Sequence, residues 1–148
     1  ELSSLPLEFH EEHYQLYQRY QSTRHSGSSM DTDDRDKYMS FFAAEGLDSR
    51  LVEFRCAGKL ICVAVIDWLP AGLSSMYTFF DPEYSSRGLG VYAILWQIMK
   101  AREIGLPHVY LGYWIDECDK MSYKTRYRPY ELFLRQQWHL INKIQPTA

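Results

Sequence analysis

The sequence predicts an α+β protein in which a mixed central sheet is flanked by helices. Three observations predict it. Residues 60–66 are a nearly unbroken apolar run, the pattern of a central strand buried on both faces, and strand-like segments lie on either side at 51–56 and 74–80. Residues 91–104 carry a helical apolar period directly behind a glycine-rich turn at 85–90. Two further helical stretches come before the strands, so helices and strands are partly segregated along the chain. At 148 residues the chain suits one domain with one core.

Each element has a local reason. In 11–24, His13, Leu16, Tyr17, Tyr20 and Arg24 recur at helical spacing and form one stripe. Gly27 among serines marks a loop. Asp31 or Asp33 is placed to cap a second helix running to about Ala44, with Tyr38, Phe41 and Phe42 inward and Gly46 near its end. Strand 51–56 meets strand 60–66 through the hairpin turn Ala57-Gly58-Lys59. After the turn at 69–72, strand 74–80 alternates Met76, Thr78 and Phe80 with Tyr77 and Phe79. Asp81-Pro82 stops it. Helix 91–104 sets Val91, Ile94, Leu95, Ile98 and Arg102 in register, and Gly105-Leu106-Pro107 ends it. Residues 108–114 read as the next strand and 131–138 as another, with a short last strand after them.

Composition narrows the function classes. The chain is 46% hydrophobic and 24% charged, which is globular rather than disordered. A net charge of -3 gives no global attraction to nucleic acid, so any such binding must be local. Cys56, Cys62 and Cys118 are odd in number and lack C-x-x-C spacing, which argues against a disulfide framework and a zinc site and fits the reducing cytoplasm. No run reaches transmembrane length and the start is not a signal peptide, so no membrane partner is expected. The chain opens on Glu1, which suggests a fragment of a longer polypeptide.

The local charge sits near the C-terminus. Between Lys120 and Tyr130 there are four fixed cations, Lys120, Lys124, Arg126 and Arg128, and no acid, interleaved with Tyr123 and Tyr127. Cations hold phosphate and rings stack on bases, so this pattern suits an anionic ligand that contains bases. A solvated loop with ordinary surface cations would show the same residues.

Two resemblances follow from these segments. The element order is similar to that of the acyl-coenzyme A N-acyltransferase (GNAT) superfamily, where the turn before the helix reads R/Q-x-x-G-x-G/A and its amides hold pyrophosphate. Ser85-Ser86-Arg87-Gly88-Leu89-Gly90 matches at the glycines, and Ser85 stands where that superfamily has Arg or Gln. More closely, the chain resembles the C-terminal domain of aminoacyl-tRNA–protein transferases, the arginyltransferase and bacterial aspartate/glutamate leucyltransferase group. The matching residues are His13-Tyr14, Leu16-Tyr17, Tyr20 and Arg24-His25, then 75–82 (SMYTFFDP), Leu89-Gly90 and 92–95. Gly105-Leu106-Pro107, 110–115 (YLGYWI), Lys120-Met121, Tyr123-Lys124, Arg128-Pro129 and Glu131 complete the match. It covers nearly the whole chain. The family's cysteine-containing N-terminal half is missing, so residues 1–148 are expected to be a single C-terminal transferase domain. The wording around Arg24-His25 and 74–82 is nearer the leucyltransferases.

The resemblance implies transfer of an amino acid from aminoacyl-tRNA, the co-substrate, to the α-amine of a protein or peptide with an acidic first residue, marking it for degradation. The ester is already activated, so no metal or other cofactor is expected in this domain; the work is positioning and oxyanion stabilisation. For the proton of the attacking amine the candidates are Asp81, Tyr77 and Tyr113. For the acceptor they are Arg87, Lys120 and Lys124, with His13, Tyr17 and Arg24 lining the cleft or packing. For tRNA they are Tyr123, Arg126, Tyr127, Arg128, Gly88 and Gly90, with Trp114 a further stacking candidate. Each has a plain structural alternative: Asp81 as a turn cap, Arg87 as a phosphate contact, Trp114 as core. Arginine as the donated residue, an acetyl-coenzyme A-dependent N-acetyltransferase, and a non-catalytic module binding tRNA or N-terminal degrons are the rival readings.

Overall fold

Strand β3 (Lys59–Leu69) is buried from Leu60 to Asp67, and the rest of the sheet is assembled around it. In the computed structural model, residues 1–24, 34–43 and 46–141 are described. They fall into two compact units, Glu1–Gly112 and Tyr113–Ala148.

The first unit is a five-stranded sheet in the order β1-β2-β3-β4-β5. β1 (Leu2–Pro6), β2 (Asp48–Cys56), β3 and β4 (Gly72–Phe80) run antiparallel, and β5 (His108–Tyr110) returns parallel to β4. The sheet is therefore mixed, as the sequence predicts. β1 is absent from the sequence reading. Leu2-Ser3-Ser4-Leu5-Pro6 has neither a long apolar run nor β-branched residues, and its proline is tolerated because the strand lies at the sheet edge. β2 and β3 join through Ala57 (φ 49°) and Gly58 (φ 79°), the paired left-handed conformation of a tight hairpin.

Helix α1 (Glu11–Arg24) has the predicted bounds and buries His13, Tyr14, Leu16, Tyr17 and Tyr20. Tyr17 meets Phe79 edge-on at 5.5 Å and Tyr20 meets Phe80 at 5.0 Å, so α1 is fixed to β4 by rings. α2 (Arg35–Phe42) is capped by Asp34, whose carboxylate accepts from Lys37 N at 3.0 Å; the two aspartates expected as caps lie outside the described residues. Tyr38 and Phe42 face inward as predicted, but Phe41 is exposed. The helix ends at Phe42, well before Gly46.

α3 (Leu89–Glu103) buries Ile94 of the predicted stripe but otherwise a different face. Leu89, Ala93, Ile94, Gln97 and Ala101 are buried, while Val91 and Leu95 are exposed with Met99. The small residues Ala93 and Ala101 let the helix lie close to the sheet, and Phe54 meets Tyr92 at 5.7 Å and Trp96 at 6.0 Å along its flank. Its end is the predicted glycine stop: Leu106 N donates to Ala101 O and Gly105 N to Arg102 O, with Gly105 at φ 75°.

β5 is shorter than predicted, and residues 111–114 leave the strand, with Gly112 at φ 74°. It pairs with β4 only along Gly72–Ser74. Residues 75–80 of β4 pair with β3 alone among the described residues, and the register skips Met76 as a bulge. Beyond Ser74 that edge of β4 has no strand partner among the described residues.

The second unit holds a 3-10 helix at Asp119–Arg126 and a hairpin of β6 (Tyr130–Leu134) and β7 (Gln137–Ile141). The single strand predicted at 131–138 is folded in two at Arg135 (φ 50°) and Gln136 (φ 65°). That turn uses neither glycine nor asparagine, so nothing in the sequence announces it.

Candidate functional site

β4 delivers Asp81 to its own C-terminal end, where Pro82 prevents the strand from continuing and a 3-10 helix, Pro82–Arg87, begins. Asp81 is buried, and its Oδ1 accepts from Glu83 N at 3.1 Å as the cap of that helix. Its Oδ2 lies 3.0 Å from Lys59 Nζ and 4.0 Å from Arg19 Nη2. Burial pushes the carboxyl up, but the Lys59 and Glu83 contacts outweigh it and hold Asp81 below the usual carboxylate range. It is an ionised group aimed at cations, a better partner for an ammonium than a strong base. A depression of about 510 Å³ opens here, lined by Arg19, Ser22, Thr23, Lys59, Asp81, Pro82 and Glu83. Arg19 and Lys59 are the members that sequence reasoning missed. Both are ordinary exposed cations until the fold converges α1 and the β2–β3 hairpin on Asp81.

The glycine-rich turn lies on the same 3-10 helix. Gly88 takes φ 63° and ψ 39°, a left-handed conformation that glycine adopts without strain, and it starts α3 with no side-chain cap and no acid in the first turn. Gly90 follows within that turn. The first amides of α3 are consequently presented without a capping side chain, a setting suited to an anion. Arg87 is exposed beside them, with its guanidinium 5.8 Å from the Tyr84 ring centre and 3.6 Å from Cys56 Sγ.

Other expected residues fall elsewhere. Of the two expectations for His13 and Tyr17, lining the cleft or packing, the structure has packing: both are core residues, only 1% and 6% exposed. The reason is chemical as well as steric: His13 Nε2 is 2.6 Å from Glu53 Oε1, and Tyr17 is enclosed by Tyr38, Phe42 and Phe79. Tyr77 is half-buried, and its hydroxyl accepts from Gln21 Nε2 at 3.2 Å. The side chain of Arg24 lies outside the described residues, as does His25.

In the second unit the 3-10 geometry sorts the cationic segment. With three residues per turn, Lys120, Tyr123 and Arg126 fall in one row, and all three are exposed. Met121, Lys124 and Tyr127 form the half-buried row beside it. Lys124 Nζ donates to the carbonyl of Tyr113, and burial lowers its pKa; burial raises that of Tyr127. Arg128 is exposed with its guanidinium 5.3 Å from the Tyr130 ring centre, Tyr113 is largely exposed, and Trp114 is half-buried. Among the described residues no group of three or more His, Cys, Asp or Glu could hold a metal, and no described helix is long and apolar enough to cross a membrane.

Comparison with known proteins gives a consistent set of relatives. The family model described as "Arginine-tRNA-protein transferase, C terminus" matches residues 12–134. The chain is 52% identical over 134 residues to an aspartate/glutamate leucyltransferase of Chromobacterium violaceum, covering 90% of this chain and 55% of that protein. It is 49% identical over 138 residues to one of Nitrosospira multiformis (93% and 55%) and 51% identical over 134 residues to one of Pseudomonas fluorescens (90% and 57%). The chain thus spans about half the length of the curated relatives it matches. Among solved structures, the ribosomal-protein-S18-alanine N-acetyltransferase of Escherichia coli aligns with a TM-score of 0.54 at 15% identity, covering 85% of this chain and 76% of that one. That likeness shows the fold, the GNAT-like α+β architecture that the element order predicts.

Proposed function

Because the chain belongs to the arginine-tRNA-protein transferase C-terminal family, we propose that the protein containing it transfers leucine from leucyl-tRNA to the α-amine of cytoplasmic proteins that begin with Asp or Glu, marking them for degradation. The reading is supported by the names of relatives at about half identity. The structural observation that carries it is the exposed cation–ring–cation row of Lys120, Tyr123 and Arg126, whose chemistry suits the terminal nucleotides of a tRNA.

In the proposed reaction the neutral α-amine attacks the carbonyl carbon of the aminoacyl ester. The bond from that carbon to the ribose oxygen of tRNA breaks, an amide forms, and the proton lost by nitrogen ends on the departing hydroxyl. An α-amine has a pKa of about 7.7–8.0, so a group must receive its proton near neutral pH. Asp81 is the ionised candidate, and Tyr77 and Tyr113 are the neutral ones. Arg87 and the Gly88 and Gly90 turn, together with Lys120, Lys124, Arg126 and Arg128, supply the charge for anionic parts of the substrates. Tyr123 and Tyr127 supply stacking surface. The co-substrate is aminoacyl-tRNA.

The test uses the full-length protein, peptides beginning with Asp, Glu or Ala, and either leucyl-tRNA or arginyl-tRNA, with peptide mass as the readout. Leucine added to the acidic peptides alone supports the proposal. Arginine added instead reassigns the donor within the same mechanism, and addition with neither tRNA overturns the transferase reading.

A further inference from the structure

We infer that the depression at the end of β4 reads the first residue of the acceptor, with Arg19 holding its side-chain carboxylate and Asp81 docking its α-amine as the ammonium, before that group gives up its proton and attacks. The inference rests on the transferase reading and assigns that reading's acceptor subsite to residues of the first unit.

Three elements meet at this point. α1 supplies Arg19, the β2–β3 hairpin supplies Lys59, and the end of β4 supplies Asp81. A carboxylate buried as deeply as Asp81 needs its charge compensated, and Lys59 at 3.0 Å does so. Lys59 Nζ also lies 3.2 Å from Glu83 Oε2, on the exposed side of the same depression. It therefore keeps a carboxylate partner when a ligand ammonium takes its place on Asp81.

Arg19 is positioned differently. Its guanidinium is half-exposed and its nearest carboxylate oxygen is 4.0 Å away, beyond hydrogen-bond range. Among the described residues it forms no closer ion pair, so its planar fork is available for an incoming carboxylate. Ser22 and Thr23 hydroxyls donate to the Arg19 carbonyl and line the wall behind it.

The charge pattern selects the ligand class. Arg19 and Lys59 balance Asp81 and Glu83, so the depression has no net charge to draw a polyanion such as a phosphodiester. It has instead a cationic and an anionic pole side by side. A free N-terminal Asp or Glu presents the complementary pair, an ammonium and a carboxylate on one short residue. Cations in the second unit are then left for phosphate.

The experiment measures leucine transfer by the full-length protein to Asp-initiated and Asn-initiated peptides, alongside calorimetric binding of the Asp-initiated peptide without tRNA. Arg19→Ala should raise the KM for the Asp peptide at least about tenfold and bring it toward that of the Asn peptide, with kcat changing less. Arg19→Lys should restore part of the preference, and acetylating the peptide's amine should abolish binding. Because Arg19 is half-exposed, the variants should melt with wild type. Wild-type transfer with unchanged KM in Arg19→Ala overturns the subsite while leaving the transferase reading intact. Arg19-dependent binding of the acidic peptide without transfer keeps the subsite and overturns the transferase reading. Absence of both overturns both.

Discussion

His13 is held neutral by the unequal treatment of its two ring nitrogens. Nε2 faces Glu53 at 2.6 Å and donates to it, while Nδ1 is buried with no hydrogen-bond partner among the described residues. Protonating Nδ1 would strand a donor, so burial lowers the pKa of His13 even though Glu53 pulls the other way. Glu53 is held down to about 2 from 4.5, chiefly by the Arg55 guanidinium, with His13 and Ser3 adding donors against the cost of burial. Both groups bind fewer protons folded than unfolded, so acid favours unfolding. Stability should fall first below about pH 6.5, as unfolded histidine protonates, and again between about 4.5 and 2 as Glu53 gains its proton. Melting temperature against pH checks this, and Glu53→Gln should lose the second decline. The helical spacing made His13 and its stripe legible in the sequence. Its partner was not, because Glu53 is distant in the chain and looks like any strand acid. Arg19 was invisible for the same reason.

Elements were legible where one signal dominated. The unbroken apolar run identified β3 and the ring stripe identified α1, because in both the buried residues are the large ones. α3 shows how that logic fails. Its sheet side is built from Ala93, Gln97 and Ala101, so the apparent apolar face of Val91 and Leu95 points outward. The close approach of β4 and β5 depends likewise on something small. A Cβ on Gly72 would lie 2.5 Å from the carbonyl oxygen of His108. Gly72→Ala should therefore push the two strands apart and cost about 1–3 kcal/mol, read as a lower denaturant midpoint. On the 3-10 helix the two rows should separate in the same way. Tyr123→Ala should weaken tRNA binding by about 1–3 kcal/mol, whereas Met121→Ala, on the half-buried row, should act mainly on the melting temperature. A filter-binding titration and a thermal melt distinguish the two.

At the scale of the molecule, a chain of net charge -3 carries the cations proposed for tRNA as a local concentration. If Lys120, Lys124, Arg126 and Arg128 each neutralise one phosphate of a single strand, log affinity against log salt should fall with a slope of about -3. A flat response would remove those contacts from the proposal. Single alanine variants should each reduce the slope by a fraction of a unit. The pairing of the sheet carries a further consequence. β2 and β3 are paired from Asp48↔Trp68 to Cys56↔Lys59, but β5 is attached to its neighbour along three residues only. Amide deuterium uptake should therefore be graded across the one sheet. The backbone of β3 should exchange only through global unfolding, while Val109 and Tyr110 exchange through small openings that leave the rest folded. The side of β4 that lacks a strand partner among the described residues thus adjoins the part of the sheet that opens at least cost, so local opening and global unfolding are separable events within one sheet.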